Sequence, residues 1–257
     1  MRSGIHTNFP VSIRKSFLTL ALSMSLTAPA VGKMLLTDDF SGTSLDPLWT
    51  VQRGSADVAN GFVSMQGGSP GARDSNIQTA VNDQNWTDYH LSTRFIAEGG
   101  GDDWYNAFVH FRIQELESTT WYDGQYYFLI ITTPLWPTGA DWLIGKYDGF
   151  TRTHLGEGDI DPSIPINDRD NQLDLWANGN EFMVSINGHS LTDNPIVDNS
   201  SNPYLHGGIG IGSLWESTTR YDYVEVAAIP EPETYAMLLA GLGLIGFMAR
   251  RRKESTV

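Results

Sequence analysis

The 257-residue chain contains no cysteine, which excludes disulfide frameworks, thiolate nucleophiles and cysteine-based metal sites. Basic residues are also scarce, with 16 Lys and Arg against 30 Asp and Glu. Seven of the bases lie at the two ends (Arg2, Arg14, Lys15, Arg250, Arg251, Arg252 and Lys253), so residues 31–229 hold nine bases against twenty-seven acids. A surface that acidic repels a phosphate backbone. Nucleic acid is excluded as a partner; neutral sugars, divalent cations or plain solubility outside the cell remain. The sequence has no Gly-rich phosphate loop, no Gly-x-Ser-x-Gly elbow and no His-Glu-x-x-His pair. No long stretch carries helical periodicity.

What the chain does hold is 26 Gly, 12 Pro, 8 Trp and 10 Tyr, with 40% hydrophobic residues. That mixture describes strands joined by tight turns around a real core. Period-two alternation runs through Tyr105–Gln114, with Tyr105, Ala107, Val109, Phe111 and Ile113 on one side and Asn106, Phe108, His110, Arg112 and Gln114 on the other. It recurs at Asp88–Ala97 and across Leu173–Ile186, where Ala177-Asn178-Gly179-Asn180 reads as a hairpin turn. Further strands are expected at Gly61–Gln66, Gln125–Thr133, Asp141–Tyr147, Gly208–Ser213 and Tyr221–Ala227. About ten strands without a linker describe one antiparallel sandwich spanning 31–229.

The ends read differently. Arg14 and Lys15, the apolar stretch Phe17–Ala28 and the small-residue site Ala28-Pro29-Ala30 form a secretory signal peptide, residues 1–30, for a signal peptidase. At the other end Pro230-Glu231-Pro232-Glu233 cannot continue a central strand. Residues 234–249 follow, uncharged and largely apolar, and Arg250-Arg251-Arg252-Lys253 closes the run. Sixteen helical residues reach about 24 Å, which snorkelling arginines extend toward a hydrocarbon core of about 30 Å. The basic cluster stays cytoplasmic and leaves the preceding domain on the outer side.

Pro230-Glu231-Pro232, Leu238-Leu239-Ala240-Gly241-Leu242 and Arg250-Arg251-Arg252, in that order, resemble the PEP-CTERM sorting signal of Gram-negative bacteria that make extracellular polysaccharide. The resemblance implies handling of residues 230–257 by a membrane exosortase, an inner-membrane intermediate, and then a cell-surface or matrix location. A permanent tail anchor is the other reading of the same residues.

The middle carries a second resemblance. Asp38-Asp39-Phe40-Ser41-Gly42, Leu45-Asp46-Pro47-Leu48-Trp49, Phe108-Val109-His110-Phe111-Arg112, Gly207-Gly208-Ile209-Gly210-Ile211-Gly212 and Tyr221-Asp222-Tyr223-Val224 look like the concanavalin A-like lectin and glucanase jelly roll, in its laminarinase and laminin-G forms. The expected fold is therefore all-β, an antiparallel two-sheet jelly roll with an N-terminal signal helix and a C-terminal transmembrane helix. The Glu-x-Asp-x-x-Glu motif of laminarinase-type glycosidases is missing; Glu115 and Glu117 lack the intervening aspartate. A polysaccharide-binding or matrix module is thus the leading expectation, and a glycan-active hydrolase with a non-standard site the alternative.

His90, Arg94, His110, Arg112 and Gln114 share the non-core phase of two strands expected to be neighbours, and would form a polar floor for sugar hydroxyls. Asp174 and Trp176 have that phase on their own strand, with Trp176 offered to a pyranose face. An ordinary solvated face is the competing reading. Trp104, Trp121, Trp136 and Trp142 are further platforms on or near loops. In similar jelly rolls an aspartate placed like Asp222 binds a structural calcium with backbone carbonyls, one from a glycine like Gly61; calcium is the one cofactor the resemblance implies.

Overall fold

The computed structural model describes residues 32–66, 74–79, 85–98, 105–115, 123–133, 141–166, 170–214, 217–230 and 239–245. The leader, Trp104, Glu117, Trp121, Trp136, Glu231, Pro232 and Arg250–Arg252 lie outside them, as does most of the tail. The strands are β1 Met34–Asp38, β2 Trp49–Arg53, β3 Ala56–Ala59, β4 Phe62–Gln66, β5 Asp74–Thr79, β6 Tyr89–Glu98, β7 Tyr105–Glu115 and β8 Gln125–Thr133. There follow β9 Trp142–Asp148, β10 Thr151–Gly158, β11 Asn171–Asn178, β12 Glu181–Ile186, β13 His189–Ser190, β14 Ile196–Val197, β15 Gly208–Leu214 and β16 Thr218–Ala228.

They form two antiparallel sheets. Sheet A runs β13-β12-β11-β6-β16-β4-β3, with β1 beside β16 and β14 beside β12; sheet B runs β10-β9-β8-β7-β15-β5-β2. The alternation explains the layering, because one side of each strand supplies the shared core. Leu91, Phe95, Leu173, Leu175, Val224 and Val226 of sheet A meet Val109, Phe111, Tyr127, Leu129, Ile209 and Ile211 of sheet B. A second buried cluster of Phe108, Ile113, Tyr126, Phe128 and Leu214 is built on sheet B. Residues 239–245 are helical. No helix among the described residues is long and apolar enough to cross a membrane.

Three local features decide where polar side chains go. At the opening loop, the Asp38 carboxylate accepts the Phe40 backbone N–H at 2.9 Å and the Trp49 indole N–H at 2.7 Å. It thereby holds Phe40 at φ 50° with its ring buried. In β7, Arg112 has φ 53°, and the β7–β8 register shifts between Phe111 and Glu115. A left-handed residue turns the strand's phase by one, so Arg112 joins Phe111 inside and Ile113 moves to the outer cluster. In β16 the register slips between Tyr221 and Tyr223, which leaves Asp222 and Tyr223 both half-exposed while Tyr221 and Val224 are buried.

Candidate functional site

The seven residues expected to form one sugar floor fall into two groups, and the reason is topological. β6 pairs with β11 and β16, whereas β7 pairs with β8 and β15, so the two strands expected to be neighbours lie in opposite sheets. His90, Arg94, Asp174 and Trp176 share the outer face of sheet A; His110, Arg112 and Gln114 belong to sheet B.

The second group is not a solvated floor. His110 is 0% exposed, in edge-on contact with Phe108 (4.2 Å) and Tyr126 (4.5 Å). Burial, helped by the Arg53 guanidinium, pushes its imidazole down to about 3, so the ring is neutral at ordinary pH. Arg112 is also 0% exposed and reaches across to sheet A, where its Nη2 donates to Asp88 Oδ1 (3.3 Å) and the Gly179 carbonyl (3.2 Å) beneath the Tyr89 ring. It fastens the two sheets at the β11–β12 turn. Gln114 donates to the His206 carbonyl. Trp142, expected as a platform, is a core side chain.

On sheet A the remaining residues meet. In register, His90 faces Trp176 and Trp176 faces Met183. The His90 and Trp176 rings stack at 4.6 Å and 10°. Trp176 is 36% exposed and its cross-strand neighbour Met183 38%. One row along, the Asp174 carboxylate bonds His90 Nε2 at 2.9 Å and accepts Gln172 Nε2 at 3.3 Å. Gln172 also donates to Ser92 Oγ at 2.6 Å and accepts the Tyr223 hydroxyl. Burial alone would raise the Asp174 carboxyl, but the bonds from His90, Ser92 and Gln172 outweigh it and lower its pKa. Arg94 pairs with Asp222 and lies 5.8 Å from the Tyr223 ring centre. Ser92, Gln172, Tyr223 and Met183 complete a face that the sequence pattern showed only in part. Their β11 and β12 members were legible by alternation, while Tyr223 was hidden by the β16 bulge.

As a cation site, Asp222 is mixed. Its Oδ1 is buried without a hydrogen-bond partner, as a carboxylate awaiting a cation would be, but Oδ2 is held by Arg94. Gly61 sits at φ 77° in the β3–β4 turn, two residues before Val63, the residue of β4 that faces Tyr221. No three His, Asp or Glu side chains gather into a metal cluster among the described residues.

A polar network that the sequence did not suggest lies on the core side. Lys146 Nζ donates to Asp198 Oδ2 (3.1 Å), Ser200 Oγ (3.1 Å) and the Asn202 carbonyl (2.6 Å), and Tyr127 donates to Asp198 Oδ2 at 2.6 Å. This buried pair pins the 187–207 segment to β8 and β9. Its groups are engaged with one another and shut away from solvent, so it serves the fold.

No curated protein matches the chain. Residues 228–253 match the PEP-CTERM protein-sorting motif. Among solved structures, a Bacillus subtilis protein of unknown function with a galectin-like fold aligns at 15% identity and TM-score 0.58, covering 77% of this chain and 96% of its own. A GlcNAcα1-4Gal-releasing endo-β-galactosidase from Clostridium perfringens aligns at 14% and 0.53, covering 77% and 63%. A structure of endo-acting O-glycanases from the human gut microbiota aligns at 10% and 0.51, covering 77% and 100%. The chain folds as an antiparallel two-sheet sandwich like these structures and carries a PEP-CTERM sorting motif, the signal for exosortase-dependent export to the cell surface.

Proposed function

We propose that this exported sandwich is a non-catalytic module that binds extracellular polysaccharide through the outer face of sheet A. The observation that carries this reading is the cross-strand row His90–Trp176–Met183 set beside the Asp174–Gln172–Ser92 network: a partly exposed indole and thioether along pre-ordered polar groups to which His90 is bonded. Sugars present apolar C–H faces and hydroxyl edges, and such a pairing fits both. Because the network's groups are already mutually bonded, ligand hydroxyls meet fixed partners, which limits the ordering cost of binding. Two structural relatives act on glycans; that chemistry is theirs, and their likeness to this chain supports the fold alone.

In this reading residues 1–30 are removed by signal peptidase, 31–229 form the working module, and 230–257 hold an inner-membrane intermediate until an exosortase acts. The mature protein then lies on the surface or in the matrix. Retention on polysaccharide gels tests the binding claim. Wild type should be retained, and Trp176→Ala or Asp174→Ala should weaken retention about tenfold or more. No retention on any glycan, with or without calcium, would contradict it. The His90–Asp174 pair also supplies a base with an orienting carboxylate, the one observation favouring a hydrolase. Reducing-sugar release abolished by His90→Ala would replace binding with catalysis.

The orphaned Asp222 Oδ1 supports a structural calcium there, with backbone carbonyls from the first strand region and from Gly61 supplying further oxygens. Millimolar calcium should then raise Tm by several degrees, and Asp222→Asn should remove the rise. A Tm indifferent to calcium removes the metal from the account.

A further inference from the structure

We propose that the end of the sandwich where the chain enters and leaves rests on a zwitterionic lipid surface while the sorting tail is in the membrane. Entry and exit are one place. Met34 faces Ala227 in register, the Ala228 N–H donates to the Lys33 carbonyl at 2.9 Å, and the Ile229 N–H donates to the Asp88 carbonyl at 2.9 Å. The sorting motif begins at Ala228, the last residue of β16, so the match overlaps the fold.

That end has a continuous rim. Asp88 accepts from Gly179 and from Arg112 of the opposite sheet. The Gly207 N–H donates to the Trp86 carbonyl, and the Tyr204 hydroxyl donates to the Tyr147 carbonyl near the β9–β10 turn. Along this rim stand Met34 (45% exposed), Leu205 (48%) and, at the hairpin tip, Phe150 (75%). Of the six large apolar side chains exposed on the described sandwich, these three mark the exit end. Trp176 and Met183 are in the sheet A row beside it, and Val51 is on the edge strand β2. Single exposed apolar residues are ordinary. What distinguishes these is their placement around the point where the chain passes to an apolar helix at 239–245.

An aromatic tip and aliphatic neighbours at a rim are the chemistry of the headgroup boundary. With Asp88 paired to Arg112, the carboxylates of Glu115, Asp148 and Glu181 outnumber Lys33 and Arg152 around it, so the surface that suits it carries no net negative charge. The contact need not hold a free protein, because the tail supplies a high effective concentration at the bilayer. This inference rests on the sorting reading and is independent of glycan binding.

The absence of cysteine makes the test clean. The full chain, reconstituted in phosphatidylcholine vesicles, carries one environment-sensitive dye at Thr151→Cys, His206→Cys, Gln66→Cys or Gly243→Cys, with spin-labelled lipid as quencher. Gln66 pairs with Thr218, at the opposite end of β16 from Ala228. Dyes at 151 and 206 should be quenched at least about threefold more than at 66, and Phe150→Ser with Leu205→Ser should remove the difference. Equal quenching at 151, 206 and 66 with strong quenching at 243 overturns the proposal while sparing the tail. An unquenched 243 overturns it together with the membrane role of the tail. A difference that survives the double serine variant overturns the part given to Phe150 and Leu205.

Discussion

Lowering the pH from 7 to 4 is expected to remove about 3 kcal/mol of folding stability, most of it before any carboxylate titrates. The cause is His110. Its folded pKa of about 3 lies far below the ordinary 6.5, so the unfolded chain takes up a proton that the native one refuses. The contribution is complete above about pH 6.5 and is lost as pH falls from there toward 3, at about 1.4 kcal/mol per unit. Urea unfolding midpoints measured across this range check it. His110→Gln should flatten the slope above pH 4.5 even if it lowers stability throughout. A wild-type midpoint constant between pH 7 and 5 would show that His110 is not buried neutral.

Asp198→Ala is expected to cost about 3–5 kcal/mol, because it leaves the Lys146 ammonium buried beneath Tyr204 without its counter-charge. Lys146→Met together with Asp198→Asn should cost markedly less than the two single changes added, since the double change removes both charges. The pair has its own acid signature. Burial by itself would raise the Asp198 carboxyl, but hydrogen bonds from Tyr127, Ser200 and Lys146 hold it at about 2. Its stabilisation is therefore present above about pH 4 and lost as pH falls toward 2, overlapping only the acid end of the His110 window, at about 2 kcal/mol in all. Denaturant unfolding of Asp198→Ala, of Lys146→Met and Asp198→Asn singly, and of their double variant checks both stability claims. An Asp198→Ala loss under about 1 kcal/mol would mean that Lys146 finds water instead.

Alternation made most of the sandwich legible. β6, β7, β11 and β12 lie where period two places them, and β4, β8, β9, β15 and β16 lie where further strands are expected, with ends moved by a few residues. β10 was missed because Thr151–Gly158 is an exposed edge with four solvent-facing residues in a row, so no inward face shows in the sequence. Pairing was beyond reach. Nothing local tells β6 and β7 that they belong to opposite sheets, and one wrong neighbour divided the expected site in two. The Arg112 bulge is a second kind of loss: a left-handed arginine carries no composition signal, yet it moves a charge from outside to core. Lys146 did leave a trace, as the lone base within the otherwise largely apolar β9. Its partner Asp198 lies fifty-two residues away and is joined to it only by the fold.

The central claim is that glycan contacts sheet A, and methionine methyl NMR of the full chain in detergent tests it most directly. The side chains report separate places: Met183 stands in the Trp176 row, and Met65 is wholly buried in the core. Titration with a retained oligosaccharide should shift the Met183 methyl and the Trp176 indole N–H together and leave Met65 unmoved. Saturable binding with Met183 and Trp176 unshifted would place the ligand elsewhere and contradict the account.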